Sequence, residues 1–435
     1  MTSLLAKFPN DPPPPYVARG EGMEIVLEDG RRVFDFTSGI TGFSVLGYNN
    51  SVVIDAMRQQ MEQFSHMDSN SWRNRQAEAL AELLLSQAPK GLDRVYLAGS
   101  SGSEAVEAAM KLSYQCHHDA GNPGKTHFIS RAQSYSGATL HALSVSELPI
   151  LDLYEPLLPE GRCRIAQHYP ARERREYESL EAYARRGAKE LEDAILEIGA
   201  DRVAGFVGET VLGTILGNVP PAPNYWSYVA DVCRHHDVHL ILDEVYCGLG
   251  RSGKMYCCSW DDVTPDFICT GKNLSAGYVP LSAVLLSAET ERLIAEGTGR
   301  ISHGHTFQGH ALGVAAALAA QTIVHDPDTL GHIVDMGNRL AETLRTELES
   351  HPFIRSVHGR GLMQSLEYDC DDRHEFSLAL AREMRDAHDI LIDARYHRTS
   401  FAPAYIIDSE DLDRVLDLYI GVFKNTAADW PPRAA

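Results

Sequence analysis

The sequence predicts an α/β protein: a mostly parallel sheet covered by helices on both faces, with a smaller α+β region from both chain ends. Three observations lead there. Short apolar runs recur as VYLA (95–98), HFIS (127–130), VAGFVGE (203–209), HLILDEV (239–245), DFICT (266–270) and LSAVLLS (281–287). They lack polar alternation, which is the pattern of strands buried on both faces. Turn residues and a helical segment follow these runs, and strand–helix alternation builds parallel sheets. Finally, 435 residues at about 150 per domain leave room for such a sheet and a second unit.

In chain order, DPPPP at 11–15 cannot join a helix or central strand, so residues 1–18 read as an extended arm. EIVLEDGRRVFDF (24–36) reads as short strands around a turn at Asp29-Gly30. Val53, Ile54, Met57, Met61 and Phe64 share helical spacing over 51–65, and a second helix is expected over 76–87. The segment 154–187, with RERREYESLEAYARR, breaks the strand rhythm and reads as a solvated helical insertion. After Gly309 come an alanine-rich helix, an amphipathic helix over 328–349, strands within 353–368, a helix at 375–388 and a last helix from Ser409. The expected organisation is an arm (1–18), the N-terminal part of a small domain (19–65), a large α/β domain (66–308), a connecting helix (309–328) and the C-terminal small domain (329–435).

Composition excludes several classes. With 39 Lys+Arg against 60 Asp+Glu, the formal charge is -21, which opposes binding to nucleic acid or an anionic membrane. A hydrophobic share of 44% with 23% charged residues is that of a globular protein. No apolar stretch approaches the roughly 18 residues of a membrane span, and MTSLLAKFPNDPPPPY lacks the organisation of an export signal. Eight sparse cysteines without a C-x-x-C pair fit reduced thiols and a cytoplasmic location.

Ligands in open α/β sheets collect at the carboxyl ends of strands. After VYLA comes Gly99-Ser100-Ser101-Gly102-Ser103-Glu104 and a helix. Small residues at a helix N-terminus suit an anion, although Ser103 also reads as an ordinary N-cap. HLIL ends in Asp243-Glu244-Val245, and a carboxylate at the mouth of a buried strand calls for a partner. The following Gly248–Gly253 spells G-x-G-x-x-G, but the acids intervene and no convincing helix follows, so a nicotinamide-dinucleotide site is rejected. Gly124-Lys125-Thr126 fails as a Walker loop because Asp119 stands where the first glycine belongs. DFICT leads into Gly271-Lys272-Asn273. A lysine there is either a snorkelling surface residue or a desolvated amine nucleophile suited to Schiff-base chemistry. Together, the turn, the acid and the lysine are the three contacts pyridoxal 5′-phosphate needs, for its phosphate, ring nitrogen and aldehyde.

SGSEAVEAAMKLS, LILDEVYCGLGRSG, PDFICTGKNLSAGYVPLSAV and HGHTFQGHALGVAAALA carry a resemblance. The chain resembles the class III (subgroup II) pyridoxal-phosphate aminotransferases of fold type I, from about Arg19 to Val422. The resemblance implies that Lys272 is the Schiff-base lysine and moves the substrate proton, and that Asp243 pairs with the ring nitrogen. It places Ser101, Gly102 and Ser103 at the phosphate, Tyr135 and Val245 at the ring, and Glu209 near cofactor and substrate. Thr306 resembles the threonine that reaches the neighbouring subunit's cofactor, implying a homodimer with shared active sites.

Departures bear on the substrate. Members acting on 4-aminobutyrate or ornithine carry glutamine where Tyr246 stands, and many carry arginine where Ser400 precedes FAPAY, with Arg398 two residues away here. Ser136 stands where histidine is usual, and Glu209 lacks its frequent arginine partner. The resemblance thus favours the ω-amino acid or amine:pyruvate branch, moving an amino group from a small-molecule donor to a 2-oxo acid. A racemase, aminomutase or decarboxylase on the same scaffold is the alternative. Trp72 and Tyr16 lie in segments that line the substrate entrance in such enzymes or pack at a dimer surface. His235 and His239 are four apart, but no acid in that segment completes a metal set, so no metal is expected.

Overall fold

The computed structural model of the chain describes residues 4–430; residues 1–3 of the expected arm and 431–435 of the expected C-terminal region lie outside the described residues. Near the N-terminus, β1 (Val17–Glu21), β2 (Glu24–Leu27) and β3 (Arg32–Asp35) form an antiparallel ladder. Seven strands follow: β4 (Arg94–Gly99), β5 (His127–Arg131), β6 (Arg162–Ile165), β7 (Val203–Glu209), β8 (His239–Asp243), β9 (Phe267–Thr270) and β10 (Ser282–Leu286). They make one sheet in the order β4-β10-β9-β8-β7-β5-β6. Only β10 runs against its neighbours. Last come β11 (Ile354–Arg360), β12 (Met363–Tyr368), β13 (Ile390–Leu391), β14 (Asp393–Arg395) and β15 (Arg398–Phe401). β13 pairs in parallel with β3, and the rest form a sheet ordered β11-β12-β15-β14.

Every residue of β7, β9 and β10 is buried, which is why their sequences are apolar without alternation. The helix Gly102–Asp119 lies on one face, burying Ala105, Ala109 and Leu112 against the sheet. The helices Leu180–Ile198 and Tyr225–His235 pack together on the other side. No helix among the described residues is long and apolar enough to cross a membrane.

The segment 154–187 corrects the expectation of a solvated helical insertion. It contains β6, which among the described residues pairs only with β5 at the sheet edge, where Arg162 and Arg164 are tolerated because charge on an edge strand discourages further pairing. The second half of RERREYESLEAYARR opens the helix Leu180–Ile198, capped by the Ser179 hydroxyl accepting from Ala182 N, with Tyr183 and Ala184 in the core. Lys125 also has a structural place: its ammonium donates to the Asp237 carbonyl and sits 3.3 Å from the Asp237 carboxylate.

Candidate active site

The strands β4, β7, β8 and β9 run in the same direction, so their carboxyl ends open on one edge of the sheet, where ligands gather in such folds. A cavity of about 370 Å³ lies there, lined among others by Ser101–Ser103, Tyr135, Glu209, Asp243, Val245 and Lys272. Of the residues assigned to the cofactor from the sequence, Thr306 alone is outside this wall; it lies exposed on the surface, its carbonyl 2.9 Å from His66 Nε2.

Asp243 is the last residue of β8 and is 7% exposed. Its Oδ1 accepts from Val245 N at 3.0 Å. Burial pushes its pKa up to about 6, opposed by that hydrogen bond, by the charge of Lys272 and by a hydrogen bond with Ser136. Lys272 follows β9 by two residues and adopts φ 37°, a left-handed conformation that a long side chain rarely takes. That turn brings its ammonium to the cavity, 5.0 Å from the Tyr246 ring centroid. Burial lowers its pKa, against the pull of Asp243 and Glu209. An amine and a carboxyl group, each pushed towards neutrality, thus share one chamber.

The helix after β4 starts at Gly102, and its cap is Ser101 rather than Ser103. Ser101 Oγ accepts from Glu104 N at 3.4 Å while Glu104 Oε2 accepts from Ser101 N at 2.8 Å, a reciprocal capping box. Ser103 Oγ instead accepts from Ala138 N at 3.0 Å. The first N–H groups of the helix have no acceptor within it, and the residues bearing them line the cavity. A Cβ on Gly102 would stand 2.5 Å from Val245 Cγ1, and one on Gly137 would stand 2.8 Å from Ser103 Oγ. Gly102→Ala is therefore expected to displace Val245 and weaken cofactor retention about tenfold, read as the dissociation constant in an equilibrium titration.

Glu209 ends β7, with Oε1 accepting from Tyr135 N at 3.0 Å and Oε2 from Gly213 N at 2.9 Å. Two backbone donors thus serve the carboxylate; Arg131 donates to the Glu209 carbonyl instead. Burial, then the charge of Asp243, pushes the Glu209 pKa up to about 7. Tyr246 packs its ring between two glycines: a Cβ on Gly42 would stand 2.5 Å from Tyr246 Cε2, and one on Gly213 2.8 Å from Tyr246 Cδ1. Trp72 and Tyr16 are both largely exposed and do not line the cavity.

Sequence reasoning missed several wall residues. Phe43 lines the cavity but sits in an irregular turn with no local signature. Ser136 touches Asp243, and its departure from the usual histidine was the available signal. A small adjoining recess is bordered by Ile40, Tyr246, Lys272, Asp393, Arg395 and Arg398. Asp393 carries both guanidinium groups, at 2.6 Å from Arg395 Nε and 3.3 Å from Arg398 Nη1. Arg398 is 1% exposed and also donates to the Thr214 carbonyl and the Ser400 hydroxyl, whereas the Arg395 side chain is 33% exposed.

Residues 7–422 match the aminotransferase class-III family. An uncharacterized aminotransferase of Schizosaccharomyces pombe is 35% identical over 434 residues, spanning 96% of this chain and 94% of its own length. A diaminobutyrate–2-oxoglutarate transaminase of Halomonas elongata is 32% identical, over 93% of this chain and 89% of its own length. Among solved structures, the PMP-bound form of an aminotransferase from Vibrio fluvialis superposes with a TM-score of 0.89 at 30% identity, covering 96% of this chain and 93% of its own. The omega transaminase from Pseudomonas jessenii in complex with PMP gives 0.90 at 28% identity, covering 95% and 93%.

The mixed seven-stranded sheet with this cavity at its strand ends defines the fold type I class of pyridoxal-phosphate enzymes. The chain belongs to the class-III aminotransferase family and is a pyridoxal-phosphate-dependent transaminase. The cavity chemistry fits that cofactor: a helix N-terminus for an anion, a buried carboxyl for a protonated ring nitrogen and a desolvated amine for an aldehyde. Gly102 leaves no room for a Cβ beside Val245, so the helix N-terminus meets the cavity as bare backbone at that position.

Proposed function

We propose that this transaminase moves an amino group from an amine or ω-amino acid to a 2-oxo acid, favouring pyruvate, in two alternating half-reactions within the one cavity. Pyridoxal phosphate, when bound, supplies an aldehyde that carries the amino group and a ring that takes up the electron pair released at the substrate carbon. Ser101, Gly102 and Ser103 hold its phosphate at the helix N-terminus. Tyr135 and Val245 border the ring, and Asp243 carries the charge that keeps the ring nitrogen protonated. Glu209, fixed by two backbone donors, braces the same edge of the cavity. Lys272 Nζ holds the cofactor between turnovers, then takes the proton from the substrate carbon and returns it. Its lowered pKa leaves more of the amine neutral, as a base requires. Thr306, exposed on its own subunit, reaches the phosphate of a second copy, so the working unit is a homodimer.

The observation that carries the acceptor preference is the cation inventory. Lys272, Arg395 and Arg398 are the cations bordering the cavity and its recess among the described residues. Lys272 serves the cofactor and Arg398 is locked by Asp393, Thr214 and Ser400. Arg395, sharing Asp393 with a second guanidinium, is left as the one partner for a substrate carboxylate. A 2-oxo acid with a single carboxylate suits this better than a dicarboxylate, whose second charge would be buried unpaired. The aromatic walls at Phe43 and Tyr246 suit an apolar donor.

A donor panel with pyruvate and 2-oxoglutarate as competing acceptors tests this. Pyruvate is expected to win by at least about tenfold in kcat/KM, the scale of one mispaired contact. A clear preference for 2-oxoglutarate would overturn the acceptor assignment.

A further inference from the structure

Arg251, in the Gly248–Gly253 run, is completely buried. Each acceptor its guanidinium engages is neutral. Nη1 donates to the Leu362 and Pro403 carbonyls, and Nη2 to the Gly42 carbonyl at 3.1 Å and the Ser38 hydroxyl at 3.4 Å. The Tyr405 ring covers its face, 4.7 Å from centroid to Cζ. A buried cation costs several kcal/mol unless well satisfied, so carbonyl dipoles and one ring are holding a demanding group at a junction of three distant segments.

The segment it grips on one side is strained. In the turn Ser38–Gly42, Ser38 (φ 49°), Gly39 (φ 79°), Ile40 (φ 65°) and Gly42 (φ 75°) all lie in the left-handed region. For a β-branched residue such as Ile40 this is a genuine outlier, which persists only where surroundings enforce it. Asp35 restrains the turn from its start, accepting from Thr37 N at 2.9 Å and Gly39 N at 2.6 Å. Arg251 restrains it from the other end, through Gly42.

This turn is also the rim of the substrate space. Phe43 lines the main cavity, and Ile40 and Thr41 line the recess beside Arg395. Gly42 lies so close to the Tyr246 ring that a Cβ would stand 2.5 Å from it. Any shift of Gly42 is therefore passed to the ring next to Lys272. On its other side Arg251 holds Leu362 and Pro403, the latter just past β15, which carries Arg398 and Ser400.

We propose that Arg251 is a positioning residue that sets which amino donors the cavity admits, by fixing the rim turn 38–43 against the segment that carries the arginine recess. This rests on the proposed amine-donor reading of the cavity. Arg251→Lys keeps the charge but loses the two-pronged fork that reaches both sides.

The test compares wild type and Arg251→Lys with isopropylamine and 1-phenylethylamine as donors and pyruvate as acceptor, alongside amide hydrogen exchange over 38–43. The expected result is faster exchange in 38–43 and a shift of about tenfold in the ratio of kcat/KM between the two donors. The kcat for isopropylamine stays within about threefold and cofactor content is unchanged, a split that a general loss of structure would not produce. An unchanged ratio, or an equal loss for both donors, overturns the proposal. Should Arg251→Lys fail to fold, Ser38→Ala removes a single acceptor and must move the ratio the same way by a smaller factor; no movement is the contrary result. If the wild type transaminates neither amine, the donor reading fails instead. Exchange at 38–43 then decides whether Arg251 pins the rim.

Discussion

Lys272→Ala is expected to lower turnover by at least about 10⁴-fold, because it removes the group proposed both to anchor the cofactor and to transfer the substrate proton. The fold should survive. The ammonium is desolvated and its pKa held down by burial, so truncation removes a group that is costly to bury, and the buried Asp243 and Glu209, whose pKa values are already raised, meet the loss of its charge by protonating. Residue 272 keeps its left-handed backbone in either case. Circular dichroism like that of the wild type with a lost steady-state rate is the predicted pair of results. Turnover near the wild-type rate would refute the assignment of Lys272.

Asp243→Asn should separate function from stability in opposite directions. Its activity is expected to fall by about 10² to 10³, the scale of losing one charged stabiliser of the transition state, while cofactor is retained. An amide still accepts from Val245 N, as Asp243 Oδ1 does at 3.0 Å, but it cannot supply the charge that holds a ring proton. In the cofactor-free protein the carboxyl pKa is raised from 3.8 to about 6 by burial. A raised carboxyl contributes stability that is complete below its unfolded pKa, near 4, and lost as pH rises through about 6. At pH 8 the wild type therefore carries a desolvated charge that asparagine does not. The variant should be more stable there by on the order of 3 kcal/mol, with the gain vanishing near pH 4. Calorimetry of the cofactor-free proteins at both pH values checks this. A lower midpoint for the variant at pH 8 would mean that Asp243 is not destabilised by burial.

The legible parts of the chain were those where one local pattern had one physical cause. Strands β7, β9 and β10 are buried on both faces and β8 is buried beyond His239, so their sequences are near-continuous apolar runs. A charged residue at the end of such a run, as at Asp243 and Lys272, is conspicuous because it demands a partner. β6 was illegible because an edge strand pairs on one side and tolerates arginine. β13 to β15 are only two to four residues long and hold their shape through long-range pairing. The Ser101 cap was readable in hindsight, since Ser101-Gly102-Ser103-Glu104 is itself the S-x-x-E capping pattern. Arg251 was not. Its acceptors lie 111 to 213 residues away in sequence, and its glycine-rich neighbourhood suggested a different ligand altogether.

In the proposed reaction the Lys272 amine and the Asp243 carboxyl serve the same bound ring. The most direct measurement is borohydride reduction of the cofactor-loaded enzyme followed by peptide mapping, with wild type and Asp243→Asn side by side. A pyridoxyl mass is expected on the peptide carrying Lys272 in both proteins, with the cofactor absorbance before reduction altered in the variant. A label on any other lysine, or an absorbance indifferent to the loss of Asp243, would contradict it.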